Sequence, residues 1–229
     1  MTLAIRASGP ELMDADDLDA DVYAAVVRDL AQVNAVTLAI RPTLAFLARV
    51  AAGQGARPLR LLDVGFGDGD ALRGIERWAG KRGIAVELVG VDLNPRSERA
   101  ARTRTPSGSR ITYVTGDYAA MGGDWDAIVS SLVAHHMSHA ELVAFLRFME
   151  ANARCWLVND LHRHGFAYRG YPLLARAMRW HPIVRHDGAL SIARSFRPRE
   201  WPPLLAEAGI SDARVYRAFP FRLCVDRLR

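Results

Sequence analysis

The hydrophobic and polar positions of this chain fall into two periods that exchange with one another. Short apolar runs of strand character at 60–65, 84–92, 111–115, 125–131 and 153–160 alternate with stretches of helical period at 70–80, 96–104 and 138–151. Such regular exchange predicts crossover units, and hence a mostly parallel sheet covered on both faces. Upstream, "ELMDADDLDADVYAAVVRDLAQVNAVTLAI" and "PTLAFLARVAA" read as helices, the second with Pro42 in its first turn. The stretch "GQGARP" then forms a glycine and proline loop before the sheet begins.

From 161 to 195 the exchange stops, and the pattern predicts an insertion with one short helix around 170–180. "RPREWPPLLAEAGI" restores a helix, with prolines in its first turn and Gly209 as its stop. The end, "DARVYRAFPFRLCVDRL", reads as two extended runs about a Pro220 corner, an antiparallel hairpin joining the sheet edge. The expected organisation is a helical cap over 1–53 and an α/β domain over 54–229. The insertion at about 161–195 is the candidate lid.

Composition narrows the class. A chain of 229 residues, half of them hydrophobic, can bury a sizeable core and falls within the range of one domain. No apolar run is long enough to span a bilayer, and the first residues lack a basic start followed by an apolar stretch. The expectation is a soluble, cytoplasmic protein. Cys155 and Cys224 lie far apart in predicted strands, without metal-ligand spacing, and read as buried thiols. The net charge of +5 is carried by arginines, Lys81 being the sole lysine, a ratio that reflects codon usage more than a selected surface. Neither an arginine tract nor a basic stripe with interleaved aromatics occurs, which argues against a nucleic-acid partner.

Candidate chemistry begins at "LLDVGFGDGDAL", Leu61 to Leu72. A dinucleotide fingerprint would need a third glycine at position 70, but that residue is Asp70, and the glycines are Gly65, Gly67 and Gly69. Asp63, Asp68 and Asp70 crowd the turn, and three carboxylates repel a pyrophosphate. The site calls for a cationic ligand. S-adenosylmethionine meets that demand, because its sulfonium and ammonium outweigh its carboxylate while its adenosine still needs close approach of backbone. Asp63 is the candidate for the ammonium. Asp92, 27 residues after Gly65, can accept the ribose hydroxyls, and Asp117 in "TYVTGDY" can meet the adenine amino group. Three acids at three successive strand ends converge on the carboxyl edge of the sheet, where open α/β folds bind ligands.

The block Asp63 to Gly69, Asp92 and the Gly116-Asp117 pair resemble, in order and spacing, the cofactor motifs of class I S-adenosylmethionine-dependent methyltransferases. The resemblance covers about 58–220. It implies a Rossmann-like doubly wound seven-stranded sheet of order 3-2-1-4-5-7-6 with an antiparallel last strand. It also implies a cofactor set in which Leu93, Tyr118 and Ser131 join the acids and glycines. Arg41 is the candidate partner of the donor's carboxylate.

Methyl transfer is an in-line displacement, so catalysis rests on alignment and on deprotonating the acceptor. The chain has no [DNS]-P-P-[YF] after the fourth strand, which sets aside the enzymes that methylate base or glutamine amines. Cys155 falls within a strand, not where a cytosine C5 nucleophile would stand. Asn159 and Asp160 supply part of a catechol-type metal set, but Ser130 and Ser131 stand where its first acid belongs, so no metal is expected. Histidine is the natural base, since its pKa lies near neutrality. The candidates are His136, His162 and His186, with His135, His164 and His181 behind them, and His139 reads as a first-turn residue. Phe166, Tyr168, Tyr171, Trp180 and His181 give the insertion the aromatic character of an acceptor lid. "LVNDLHRHGFAY" and "VRHDGALSIARSF" further resemble bacterial small-molecule methyltransferases of polyketide and quinone type, implying a phenol or enol acceptor. An RNA or protein acceptor, a non-catalytic cofactor-binding partner of a biosynthetic enzyme, and a nicotinamide oxidoreductase stay open as alternatives. The oligomeric state is not legible.

Overall fold

The computed structural model describes residues 3–15, 17–53, 55 and 57–229. The expected boundary between cap and domain adjoins Gln54, which lies outside the described residues. Two helices, α1 (Ala20–Val36) and α2 (Arg41–Ala52), precede the sheet. There follow β1 (Leu59–Val64), α3 (Asp70–Gly80), β2 (Val86–Asp92), α4 (Pro95–Arg104), β3 (Thr112–Thr115), β4 (Trp125–Ser131), α5 (His139–Asn152) and β5 (Ala153–Leu161). The insertion holds α6 (Gly165–Ala177) and α7 (Pro182–Arg194), and α8 (Trp201–Ala208), β6 (Arg214–Ala218) and β7 (Arg222–Arg227) close the chain.

Successive residues of a strand face opposite sides of the sheet. Leu59, Leu61, Ala127, Val129, Cys155 and Leu157 therefore join one buried cluster, and Leu62, Val64, Ile128, Trp156 and Val158 join the other. Strands apolar at every position must be covered on both faces. α2, α3 and α4 cover the first, and α5 and α8 cover the second. The strand order is β3-β2-β1-β4-β5-β7-β6, as expected. β1 to β5 run parallel, and β7 is antiparallel to both β5 and β6. The winding reverses between β1 and β4, which opens a crevice at their carboxyl ends. β7 begins at that same edge, its Arg222 paired with Leu161 at the end of β5.

Local sequence explains the ends of the elements. Asn94 caps α4 through Arg96 N, with Pro95 at the first position, and Ser138 and Glu141 form a capping box on α5. Gly209, in the left-handed region at φ 80°, ends α8.

The insertion departs from expectation, since two helices stand where one short helix was predicted. Pro172 inside α6, the His181-Pro182 step and Gly188 inside α7 mask the helical period in sequence. Tertiary packing overrides these signals. Val26 of α1 forms a small core with Ala175, Trp180 and Val184, and Gly188 lets α7 meet the Tyr171 ring, where a Cβ would lie 2.2 Å from the nearest ring atom. The insertion leaves and returns at one point: His162 bridges Phe196, Arg163 N donates to Phe196 O at 3.1 Å, and the Arg163 guanidinium reaches Ser195 O and Glu200. The first described residues form a strap across α7. Ala7 N donates to Ala193 O at 3.0 Å, and Leu12 N and Met13 N each donate to the Asp187 carboxylate at 3.0 Å. Among the described residues no single helix is long and apolar enough to cross a membrane. α1 and α2 pass that test together but are bent by 69°, and α2 is packed into the core.

Candidate active site

Beyond β1 the chain must turn sharply past the ends of β2 and β4. Gly65 makes this possible with φ 77°, and a Cβ there would lie 2.3 Å from Val133 Cγ2. A cavity of about 980 Å³ opens over this turn. Of the expected cofactor residues, Asp63, Gly65, Gly67, Asp92, Leu93, Tyr118 and Ser131 line it. Asp63 is buried, no donor among the described residues reaches its carboxylate, and burial with Asp70 and Asp92 nearby pushes its pKa up to about 8. Asp92 accepts from Gly67 N and Asn94 N, each at 2.9 Å, and so ties the glycine turn to the end of β2. Burial raises its pKa as well.

Three expected cofactor residues stand off the lining. Gly69 is the left-handed N-cap of α3, packed under the Tyr113 hydroxyl. Asp117 is exposed and accepts from Ala119 N at 2.9 Å, while its neighbours Gly116 and Tyr118 reach the cavity. Arg41 is exposed at the start of α2.

Past Ser131 the chain delivers a histidine pair into the same cavity. His135 is buried, its Nδ1 lies 2.8 Å from Asp160 Oδ1, and its backbone N–H donates to Asp160 Oδ2 at 2.8 Å. Its Nε2 lies 3.7 Å from Glu11 Oε1, brought in by the strap. His136 sits beside it, ring centroids 4.2 Å apart, with Nε2 3.8 Å from Glu11 and Nδ1 3.6 Å from Asp14. Burial disfavours the imidazolium of His136, yet Asp14 and Glu11 outweigh it and raise its pKa. Glu11, His135 and His136 place ligand atoms within 4.8 Å of one another, the donor set of a cation site, although Ser191 Oγ and Arg194 also engage Glu11. His162 lines the cavity as well. Burial, followed by Arg217, His164, Arg197 and Arg163, pushes its pKa down to about 4. His186 is exposed on α7, 2.8 Å from Asp187, and lies off the lining. The Asn159 and Asp160 pair is engaged elsewhere: Asn159 donates to Ala39 O and Thr43 Oγ1, and Asp160 serves His135.

Residues 61–154 match the family described as a methyltransferase domain. That segment runs from β1 to the start of β5 and includes the glycine turn and Asp92. No curated relative matches its sequence. Among solved structures the chain is similar to the plantazolicin methyltransferase in complex with a monoazolic desmethylPZN analogue and S-adenosylhomocysteine, at 12% identity and TM-score 0.61 over 89% of each chain. It is similar to human N-acetylserotonin methyltransferase with S-adenosylmethionine, at 13% identity and TM-score 0.63, over 91% of this chain and 56% of that one. The C-methyltransferase domain of the citrinin polyketide synthase follows at 14% identity and TM-score 0.60, over 82% of this chain and 52% of that one. This chain thus spans about half the length of two of these chains.

The acid half of the cavity fits the methyl donor. Asp63 offers a buried carboxylate without a hydrogen-bond donor among the described residues, Gly65 leaves no room for a side chain where backbone must approach, and Asp92 stands at the end of β2. When bound, the donor supplies an electrophilic methyl on a sulfonium. The insertion covers the other half, where Phe166 and Tyr171 line the cavity while Trp180 is buried in the core shared with α1. Sequence reasoning missed Glu11, Asp14, Tyr23 and Arg222 on the lining, and ranked His135 behind His136. An acid in an irregular strap carries no periodic signal. His135 and Asp160 are 25 residues apart, joined only by the pairing of β4 with β5.

Proposed function

We propose that this chain is an S-adenosylmethionine-dependent methyltransferase that moves a methyl group onto a hydroxyl, a phenol or enol, of a hydrophobic small molecule such as a polyketide, quinone or phenolic lipid. The observation that carries the reading is the continuity of the cavity. It runs from the acid half past His135 and His136 to apolar walls that include Leu30, Val33, Leu161, Phe166, Leu174 and Ile192. The plantazolicin and N-acetylserotonin enzymes, named for small acceptors, support the same class.

A hydroxyl acceptor must lose its proton as its oxygen gains the methyl. In this reading His135 takes it. The Nδ1–H of His135 donates to Asp160, which leaves the Nε2 lone pair for the acceptor and stabilises the imidazolium that forms. His136, its pKa raised by Asp14 and Glu11, is the second candidate. His162, neutral near pH 7, orients the acceptor by hydrogen bonding. His186 enters no step.

The test is transfer of labelled methyl from the donor to a panel of phenols, total RNA and protein extract. Label is expected in phenols, with the rate reduced by His135→Ala and donor affinity unchanged. Label confined to RNA or protein overturns the reading, and so does donor binding without any transfer, the signature of a non-catalytic partner.

A further inference from the structure

The cavity is polarised. Asp63 and Asp92 line it at the ends of β1 and β2, whereas Arg222 and His162 line it at the junction of β5 and β7, with Asp70 close enough to act on Arg222. Arg222 is 1% exposed, and its Nη2 donates to Thr37 Oγ1 at 3.1 Å. Its Nε and Nη1 are buried without an acceptor among the described residues. Asp160 and Asp70 act on it electrostatically, but His135 and Leu161 N occupy both oxygens of Asp160, and Asp70 accepts from Asn34 Nδ2 at 3.0 Å. Burial works against the Arg222 charge. An ionised guanidinium with idle donors is costly inside a protein, and a partner that joins it repays part of that cost.

A second observation points the same way. Around His162, Arg163, Arg197 and Arg217 all act as cations, and Arg197, Arg199 and Arg217 line a smaller cleft that shares His162 with the main cavity. Positive charge thus gathers around the end of β5.

We propose that Arg222 anchors an acceptor bearing an ionised carboxylate, which sits at the β5–β7 end of the cavity while the hydroxyl to be methylated faces His135. The inference rests on the small-molecule reading above and deepens it to an aromatic or polyketide hydroxy acid. Arg222 reads the acid. Thr37 holds one arm of the guanidinium in place, and Leu161 and Phe221 line the cavity beside it.

The test uses the full chain saturated with S-adenosylhomocysteine and titrated calorimetrically with 1-hydroxy-2-naphthoate, salicylate and their neutral carboxamides. The acids are expected to bind roughly ten- to a hundredfold more tightly than the amides. Arg222→Met should abolish that preference without changing S-adenosylhomocysteine affinity, and Arg222→Lys should retain part of it. Equal binding of acid and amide by the parent protein overturns the proposal and needs no variant. Loss of S-adenosylhomocysteine affinity in Arg222→Met, with the acid preference intact, also overturns it and assigns the guanidinium to the donor. A parent protein that does not bind S-adenosylhomocysteine at all overturns the methyltransferase reading instead.

Discussion

At the scale of single residues the site is governed by where charge is left without a partner. Asp63 holds a proton in the folded protein up to about pH 8, while an unfolded chain releases it near the ordinary carboxylate value of about 4. Between those values the folded state binds more protons at this position, so its contribution lowers stability as pH rises through the window. A cationic donor reverses the preference. Binding at pH 7 should therefore expel a proton, visible as a buffer-dependent heat in calorimetry, and donor affinity should rise toward pH 8. Asp63→Asn should lower that affinity roughly ten- to a hundredfold and remove the proton release. His135 makes a separate prediction. Because Asp160 fixes its tautomer, His135→Ala and Asp160→Asn should each lower kcat on a phenolic acceptor by about 10²–10⁴ while leaving the donor Kd unchanged.

At the scale of elements, strap, turn and cap do different work. The strap carries Glu11 and Asp14 to His136, so Glu11→Gln and Asp14→Asn should each lower the pKa of His136 in an NMR titration. If neither moves it, the strap does not set the protonation state of the pair. The glycine turn ends at Gly69, whose φ of 75° and contact with Tyr113 make it a hinge into α3 and not a lining residue. Gly69→Ala is expected to reduce thermal stability before it alters donor contacts. The α5 capping box is a purely structural control: Ser138→Ala should cost about 1 kcal/mol, or about 2–4 °C in Tm, with kinetics unchanged.

At the scale of the molecule, one sheet edge gathers residues from every part of the chain. Glu11 comes from the strap, Asp63 and Asp92 from the first strands, His135 from the loop after β4, Phe166 from the insertion and Arg222 from the final hairpin. α1 forms part of the roof, packed on α6 and α7, and His181 N donates to Asp29 at 2.7 Å across that contact. Donor at a hundred times its Kd should stabilise the protein by about 2.7 kcal/mol. Hydrogen exchange should slow at 63–70 and in α1 together, since the ligand lies between them. Slowing confined to the glycine turn would show that α1 is not part of the closed site.

The amino-acid sequence by itself determined the sheet. Alternating apolar runs, their helical connections, the Pro220 corner and the three strand-end acids are local patterns, each readable within a few residues, and their order fixes a parallel sheet with its ligand edge. It also set three acids around the glycine turn, but the charge they present depends on the rest of the chain, since burial raises the pKa of Asp63 and Arg73 and Arg104 pair with Asp68. Only the tertiary structure decided which histidine is held, what the insertion becomes, and where Arg222 and Glu11 stand. These depend on contacts between residues from 25 to 185 positions apart, such as His135 with Asp160 and Arg222 with Thr37. No period or spacing encodes such contacts; strand register and helix packing create them once the core has formed.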